Sequence, residues 1–376
     1  MMPRTRSSGA PRPEIIGVMN PTPGPPKETQ QSRKRKAAAM QQRVGKDAVT
    51  TTLQSLAVTD GTRVYYTKIW EELVAWLAKT KAQPPTEHEW DDQIAKKMDE
   101  MYLEGFAAHR GEKLLATVLW KRPRLSLEAG GRMVRSRQAL RGWRRVCPHG
   151  GRLPLPMDVV AMICMQLCGA GRHMVALMVL LTVECYLRPA EPLEIRMRDV
   201  VPGMNARRGM PHLCLLLHPT ECGKPAKNGE YDQTVLLDLK RQRPLAKWLQ
   251  AAVKSKPPNE KVFASAPRSL APLLKEMETA LRLQPLGALH PYRFRHTGVS
   301  VDFATKARTV EEIQERGRWT QAKNMKRYQH GGRLSELMQR LHPEVRQYAK
   351  QCERALPDVM CKRRSALPCP WVVCFL

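Results

Sequence analysis

Two arginines and a tyrosine in the second half of the chain have the chemistry that cleavage of a phosphodiester requires. Attack on phosphorus adds negative charge to the non-bridging oxygens, and the guanidiniums of Arg188 and Arg295 each offer paired, permanently charged donors to them. The phenol of Tyr328 is an oxygen nucleophile that can hold the phosphate as an ester, which preserves the bond energy for religation. These residue types predict cleavage and rejoining of a nucleic-acid strand without ATP.

Three separated segments resemble the tyrosine recombinase family, which includes phage integrases and Cre-like enzymes. LTVECYLRPAEPLEIRMRDV is similar to the helix end that carries the family's first catalytic arginine, and YRFRHTGVS resembles its H-x-x-R-H-T box. GRWTQAKNMKRYQH resembles the final segment that ends in the nucleophile, with G-R-W in place of L-G-H as in mobile-element recombinases. The resemblance covers about residues 60–345 and implies that Arg188, Arg295 and Tyr328 are catalytic.

The same resemblance implies supporting roles for further side chains. Lys227, on a predicted hairpin, is the expected proton donor to the departing 5′ sugar oxygen, and Lys224 is the alternative. Trp319 can donate only through its indole N–H, so we expect it to hydrogen-bond a phosphate oxygen. Glu191 follows the first arginine by three residues and is expected to hold Arg188 in position.

The sequence departs from the family where its first histidine usually stands. That position, three residues before Arg295, is Tyr292, and a phenol is a poorer base than an imidazole at neutral pH. A shifted register makes His290 the base and Arg293 the second phosphate donor. The main register leaves Tyr292 to act as acid or base, or to orient the phosphate, and gives His296 a supporting position beside Arg295.

Charge and composition favour a nucleic-acid partner. The 376 residues include 63 lysines and arginines against 35 acidic residues, and a net charge of +28 is hard to explain without a polyanion. The N-terminal residues contain no apolar run long enough for a secretory signal, and the apolar stretch from Met157 to Leu187 is broken by Gly169 and Gly171. Ten cysteines show no metal-knuckle spacing, so no metal or cofactor is predicted.

The composition predicts four regions. Residues 1–46 are a Pro-rich basic arm that we expect to be disordered, in which Arg33–Lys36 is either a nuclear localisation signal or only solvated charge. Residues 47–147 are predicted to be a helical core-binding domain, and residues 148–350 the catalytic domain. Residues 351–376 lack periodicity and caps, and are expected to contribute little to the fold.

Local patterns predict the elements of an α+β, mostly α-helical chain, in which a helical N-terminal DNA-binding (core-binding) domain precedes a tyrosine recombinase catalytic domain with a small antiparallel sheet. Thr86 and Glu89 form a capping box, 157–169 and 173–187 are buried helices, and HLCLLLH and QTVLLD are strands. Amphipathic stripes predict two further helices. Their apolar members are Tyr66, Ile69, Trp70, Leu73, Val74 and Leu77, and then Leu270, Leu273, Leu274, Met277 and Leu281.

Six arginines fall within fourteen residues of the N-terminal domain, with no acid among them. Because uncompensated cations repel one another unless anions lie nearby, we expect this segment to contact DNA phosphates. The alternative is a solubilising helix face. The six are Arg132, Arg135, Arg137, Arg141, Arg144 and Arg145.

The sequence therefore predicts a DNA strand-transferase that acts in recombination or integration through a 3′-phosphotyrosyl intermediate. The resemblance implies double-stranded DNA as partner and a homotetramer on DNA. Two alternatives remain: a domesticated DNA-binding protein that has lost the chemistry, and a type IB topoisomerase-like enzyme that relaxes supercoils without synapsis. The target DNA sequence is not encoded in any of these motifs.

Overall fold

The computed structural model describes residues 30–44, 51–82, 86–126, 132–148, 153–203, 211–226, 229–321, 325, 328 and 331–371. They form two compact units, whose boundary falls between residues 150 and 151. The described residues are mostly helical, with one small antiparallel sheet in the second unit, so the predicted α+β, mainly helical class is confirmed. Lys227 lies outside the described residues.

Helices alone build the described part of the first unit. They are α1 (Gln30–Val44), α2 (Thr52–Leu56), α3 (Asp60–Lys79), α4 (Glu87–Leu103), α5 (His109–Lys121) and α6 (Val134–Val146). On α3, Ile69, Leu73 and Leu77 form one buried row at a spacing of four residues and pack against Ile94 of α4. Val74 was also expected in the core, but it is 46% exposed because it lies beside this row.

The predicted capping box at the start of α4 is confirmed. The Thr86 hydroxyl accepts from the Glu89 N–H at 3.3 Å, and the Glu89 carboxylate accepts from the Thr86 N–H at 3.1 Å. Residues 30–44 differ from expectation, since they form α1 within the arm predicted to be disordered. Three consecutive alanines flanked by glutamines, lysines and arginines give this segment high helix propensity. Most of its described side chains are exposed.

The N-terminus of α6 is capped from a distance. Its N-cap residue Met133 is left-handed and makes no capping bond. The buried carboxylate of Asp91, on α4, instead accepts from the N–H groups of Arg135 at 2.7 Å and Ser136 at 2.8 Å, and from the Ser136 hydroxyl at 2.6 Å. A carboxylate at this end also complements the helix dipole. Asp91 thereby fixes the arginine-rich helix against α4.

We expect Asp91→Ala to destabilise the first unit by about 1–3 kcal/mol, because the buried Ser136 N–H and the partly buried Arg135 N–H lose their acceptor. Asp92→Ala is the matched control. It removes an ion pair to Arg135, whose side chain is 60% exposed, and should cost less than about 1 kcal/mol. Urea unfolding of the two variants measures the difference, and equal costs would show that Asp91 is not the cap that holds α6.

The second unit combines helices with the sheet. The helices are α7 (Met157–Gly169), α8 (His173–Glu184), α9 (Arg243–Val253), α10 (Ala271–Ala280), α11 (Tyr292–Thr305), α12 (Val310–Gly317), α13 (Gly331–Gln339) and α14 (Pro343–Met360). As predicted, α7 and α8 are almost wholly buried, and α10 buries Leu274 and Met277. Across both units, no described helix combines the length and apolarity needed to cross a membrane.

Strands β1 (Val200–Val201), β2 (Cys214–Leu217) and β3 (Gln233–Leu236) form the sheet in that order. Both pairings are antiparallel, and in the predicted hairpin Leu215 lies opposite Val235. The sequence did not predict β1, since a strand of two residues is too short to show alternation. The sheet follows the segment that contains Arg188 and so positions the β2–β3 connection, from which the lysine candidates come.

The expectation that residues 351–376 contribute little to the fold is wrong for residues 351–371. The first ten of these residues complete α14, which packs along α7 and buries Cys352 and Leu356. Beyond the helix, the Leu367 carbonyl accepts from the Tyr348 hydroxyl at 3.0 Å, and the rings of Tyr348 and Trp371 meet at 5.4 Å. The segment Ser365–Trp371 has no periodicity because it is an irregular chain held by these tertiary contacts.

Close approach of α11 to α8 sets the geometry of the catalytic candidates. A Cβ at Gly298, on α11, would collide with the Val183 carbonyl oxygen and lie 2.9 Å from the Tyr186 ring. Only glycine therefore allows the two helices to pack at this distance. The contact places Arg295, one turn earlier on α11, beside the end of α8 that leads to Arg188.

Candidate active site

Three separated segments supply the catalytic candidates. Arg188 follows α8, Arg295 lies on α11, Trp319 follows α12, and Tyr328 occupies a short helical turn before α13. The chain brings these four side chains together through the contacts described below.

A buried carboxylate links two arginines. Glu191 is 6% exposed, and its Oε1 accepts from Arg188 Nη1 at 2.7 Å while its Oε2 accepts from the Arg188 N–H at 2.7 Å. The same Oε2 accepts from Arg318 Nη2 at 2.7 Å. Glu191 thus holds Arg188 as the sequence suggested, and also holds an arginine that the sequence did not single out.

The pKa of the Glu191 carboxyl reflects two opposed effects. Burial raises the pKa, but the charges of Arg318 and Arg188 and the hydrogen bond from the Arg188 N–H lower it by more. The net pKa is therefore below the usual glutamate value. The carboxylate is therefore ionised at neutral pH.

A lowered native pKa makes the contribution of Glu191 to stability depend on pH. That contribution is complete above the unfolded pKa of about 4.3 and is lost as the pH falls through the lower native value. We therefore expect the difference in unfolding free energy between wild type and Glu191→Gln to be largest near pH 7 and to shrink below about pH 4. Urea unfolding at a series of pH values checks this, with the half-exposed Glu194→Gln as control.

The second candidate arginine is held by backbone carbonyls. Arg295 is 3% exposed; its Nη1 donates to the Tyr186 carbonyl and its Nη2 to the Gly317 carbonyl at 2.5 Å. Its guanidinium lies over the Trp319 ring at 4.8 Å. Burial lowers the pKa of Arg295, and Glu191 opposes this shift. A phosphate would therefore have to compete with two carbonyl oxygens for these donors.

Tyr186 is a site residue that the sequence analysis missed. It is left-handed, with φ 48°, and its carbonyl oxygen accepts from both Arg295 and Arg318. Its hydroxyl donates to the buried Asp302, and the Arg316 guanidinium lies over its ring at 5.4 Å. Burial raises the pKa of the Tyr186 phenol, and the Asp302 carboxylate raises it further. Tyr186 therefore orients the arginines through its backbone.

Aromatic rings line the remaining side of the site. The Tyr328 ring lies 4.9 Å from Trp319 and meets His296 edge-on at 4.8 Å, and His296 in turn meets Tyr292 at 6.5 Å. Tyr328 is only 6% exposed, and its carbonyl accepts from the Ser300 hydroxyl at 2.8 Å. His296, expected only in a supporting position, is thus in ring contact with the candidate nucleophile.

Arg293, the arginine of the shifted register, donates to carbonyls away from Glu191 and Trp319. Arg293 Nη1 donates to the carbonyls of residues 286, 287 and 288 at 3.0–3.1 Å, and its Nε donates to the Leu153 carbonyl at 2.9 Å. Burial lowers the pKa of this arginine to about 10. His290 precedes α11 and is exposed. Arg293 therefore stabilises a loop, while Arg295 is the arginine beside Glu191 and Trp319.

The alternative lysine can be placed. Lys224 lies in the β2–β3 connection, and its Nζ is 4.0 Å from the Glu194 carboxylate with the side chain 70% exposed. It lines a cavity of about 110 Å³ together with Glu191 and His218. His218 Nε2 is 3.9 Å from Glu191 Oε1. This connection therefore reaches the edge of the site.

Helix α6 carries all the arginines of the arginine-rich segment except Arg132, which lies just before it, and these cations are not all uncompensated as the sequence suggested. Arg135 pairs with Asp92 at 2.6 Å, and Arg144 pairs with Glu112 at 2.9 Å. Both acids come from neighbouring helices, so the sequence of the segment does not contain them. Arg137 donates to the Arg132 carbonyl at 3.2 Å. Of the six arginines, Arg132, Arg135, Arg141, Arg144 and Arg145 are exposed.

Three contributors to the site were missed, and each had a weak signal. Arg318 stands between Gly317 and Trp319 in the G-R-W segment, and a cation directly beside the candidate Trp319 was a signal for a phosphate site. Tyr186 lies two residues before Arg188, and His218 ends the predicted HLCLLLH strand. Among the described residues, no group of three or more histidines, cysteines or acids is arranged to hold a metal ion.

Comparison with known proteins finds similarity among solved structures. No family model and no curated protein matches the chain. Among solved structures, the crystal structure of XerA recombinase matches over 80% of this chain and 94% of that chain, with 12% sequence identity and a TM-score of 0.35. A likeness at this level supports no residue-by-residue correspondence, so the function must be argued from the site itself.

Proposed function

We propose that this protein cleaves and rejoins DNA strands as a tyrosine recombinase, through a 3′-phosphotyrosyl bond to Tyr328. The supporting observation is the convergence of Arg188, Arg295, Trp319 and Tyr328 from three separated segments on one site. Paired guanidiniums beside a phenol form a constellation suited to phosphoryl transfer. A purely structural arginine cluster has no need of the phenol.

In the proposed reaction, the Tyr328 oxygen attacks phosphorus and forms the Tyr O–P bond as the bond from phosphorus to the 5′ oxygen breaks. Arg188 and Arg295 stabilise the charge that develops on the non-bridging oxygens, and the Trp319 N–H donates to one of them. A lysine of the β2–β3 connection, Lys227 or Lys224, gives the 5′ oxygen its proton. Attack by a 5′ hydroxyl on the phosphotyrosine then reverses these steps and releases the phenol.

The phenol of Tyr328 must lose a proton as it attacks. His296 is the imidazole in ring contact with Tyr328, so we propose it as the acceptor, with Tyr292 packed on its other side. This pairing would compensate for the absence of a histidine at position 292. Because Tyr328 is 6% exposed, the DNA-bound protein must present its hydroxyl more openly than the free protein does.

The remaining roles follow from the same proposal. Helix α6 presents exposed arginines that can contact DNA phosphates, and the exposed Arg33, Lys34 and Arg35 of α1 are suited to a nuclear localisation signal. Double-stranded DNA is the proposed partner, bound by the helical core-binding domain of residues 47–147 and the catalytic domain of residues 148–350. A homotetramer on DNA is proposed for the synaptic state.

The test is a covalent-adduct assay on the full chain. Wild-type protein is incubated with a nicked suicide duplex labelled beside the 3′ phosphate, and the expected product is an SDS-resistant complex whose linked peptide contains Tyr328. Mapping to another residue, or the absence of any adduct on a panel of nicked duplexes, would overturn the proposal. Plasmid relaxation without recombinant products would instead assign the protein to the topoisomerase-like alternative.

Two observations favour a second candidate, a DNA-binding protein that has lost the chemistry. The two terminal nitrogens of Arg295 already donate to backbone carbonyls, and position 292 carries a phenol in place of the family's histidine. Such a protein would retain salt-dependent DNA binding through its basic surface. Tight binding to the nicked duplex with no adduct would support this candidate.

A further inference from the structure

Arg318 is the arginine of the site that no part of the proposed mechanism uses. It ends helix α12 in the left-handed region, with φ 56°, a conformation that most side chains avoid. This backbone turns the side chain inward, where it is 5% exposed. Burial of a charged side chain on a left-handed backbone destabilises the folded state, so Arg318 is a candidate for a functional role.

The hydrogen bonds of Arg318 are incomplete. Its Nη2 donates to Glu191 Oε2 at 2.7 Å and to the Tyr186 carbonyl at 3.1 Å. Its Nε and Nη1 are buried and have no acceptor among the described residues. Burial also lowers the pKa of this guanidinium to about 10, which leaves it charged at neutral pH. Two donors of a buried cation therefore lack a partner.

The local charge is also unbalanced. Arg188 and Arg318 both donate to Glu191, and Arg295 lies close enough for the same carboxylate to act on its pKa. Three guanidiniums thus share one carboxylate. An excess of buried positive charge is costly unless an anion joins it.

We propose that Arg318 is the third guanidinium of a site that binds a phosphodiester, and that an anion supplies the missing acceptors. This inference rests on the proposed function for the identity of the ligand, and it extends the donor set beyond Arg188 and Arg295. The positive charge of Arg318 attracts a phosphate even without direct contact. Its Nε and Nη1 can donate to the phosphate only when the atoms that cover them move.

The chain offers a matched control for removing this charge. Lys306 ends helix α11 with φ 52°, so it is also a cation in the left-handed region, but it is exposed. Glycine adopts a positive φ without strain at both positions, and each substitution removes one positive charge. Arg318→Gly and Lys306→Gly therefore differ mainly in whether the lost cation belongs to the site.

The experiment measures the melting temperature of the full chain, with and without inorganic phosphate, at constant ionic strength. Without phosphate, Arg318→Gly should melt at or above the wild-type temperature, because strain and unpaired donors disappear together. With phosphate, wild type and Lys306→Gly should show the same upward shift, and Arg318→Gly should lose most of it. Arg318→Lys should recover part of the shift, because the charge returns without the planar donors.

Adduct formation supplies the second readout. Arg318→Gly should form the adduct at least about tenfold more slowly than Lys306→Gly, and its DNA affinity should depend on salt with a slope smaller by about one. Equal phosphate shifts and equal rates in the two glycine variants would overturn the inference, as would a large loss of melting temperature in Arg318→Gly without phosphate. If wild type forms no adduct but the phosphate shifts differ as expected, the anion site stands and only the proposed function fails.

Discussion

Tyr328→Phe is expected to abolish the covalent protein–DNA adduct while leaving the affinity for DNA unchanged within about twofold. The substitution removes the only atom of the side chain that can attack phosphorus, and loss of a nucleophile lowers an enzymatic rate by on the order of 10⁴ to 10⁶. The phenyl ring keeps the contacts to Trp319 and His296, so the fold should persist. Denaturing gels of nicked-duplex reactions measure the adduct, and a filter-binding titration measures affinity.

Tyr348→Phe is the matched control for this change. Tyr348 is buried in the same unit, but its hydroxyl donates to the Leu367 carbonyl at 3.0 Å, in the packing between α14 and the C-terminal segment. Loss of that bond should cost about 1 kcal/mol of stability and leave the adduct intact. An adduct that survives in Tyr328→Phe would place the nucleophile on another residue and remove the main support for the proposal.

The base of the reaction can be examined in the same assay. His296→Gln keeps a polar side chain of similar size but cannot take the phenol proton at neutral pH. If His296 is the acceptor, the variant should form the adduct about 10²–10⁴ times more slowly than wild type at neutral pH. Tyr292→Phe should then have the smaller effect, since Tyr292 packs on His296.

Local patterns predicted the elements of this fold well, because their causes lie within a few residues. The capping box of Thr86 and Glu89 joins positions three residues apart, and the apolar sequence of α7 and α8 has no polar face to expose. The alanines of α1 favour a helix equally locally, whereas the prolines and charge of the surrounding arm favoured disorder.

Contacts between distant segments could not be predicted in the same way. Asp91 caps a helix that begins more than forty residues later, and no spacing rule connects a carboxylate on α4 with the start of α6. The partners of Arg135 and Arg144 come from other helices for the same reason. The irregular segment after α14 has no period at all, because its order comes from packing on Tyr348 and Met165.

For the candidate site too, the residues could be predicted from local sequence and their contacts could not. Arg188, Arg295, Trp319 and Tyr328 could be chosen from residue type and order, but their geometry could not. Sequence alone does not tell that the Arg295 donors meet backbone carbonyls. Nor does it tell that Glu191 serves two arginines, since Arg318 reaches it from the end of α12.

Arg188→Ala is expected to slow adduct formation by about 10²–10³, because it removes one donor pair that stabilises charge only in the transition state. Arg188 suits this test better than Arg295. Its side chain is 18% exposed and Arg318 still pairs with Glu191, so the variant should fold. Arg295→Ala would instead remove the donor to the Gly317 carbonyl and one of the two donors to the Tyr186 carbonyl, and so confuse stability with catalysis.

Arg188→Lys separates geometry from charge. A lysine restores the positive charge but not the planar pair of donors, so its rate should remain well below wild type if bidentate contact to the phosphate matters. Arg198→Ala is the control, since Arg198 lies ten residues on and contacts Asn259 at 2.8 Å rather than the site. Single-turnover rates on the nicked duplex, at saturating protein, exclude effects on binding. A wild-type rate for Arg188→Ala would mean that this arginine serves Glu191 and the fold alone, and the transition-state charge would then fall to Arg295 and Arg318.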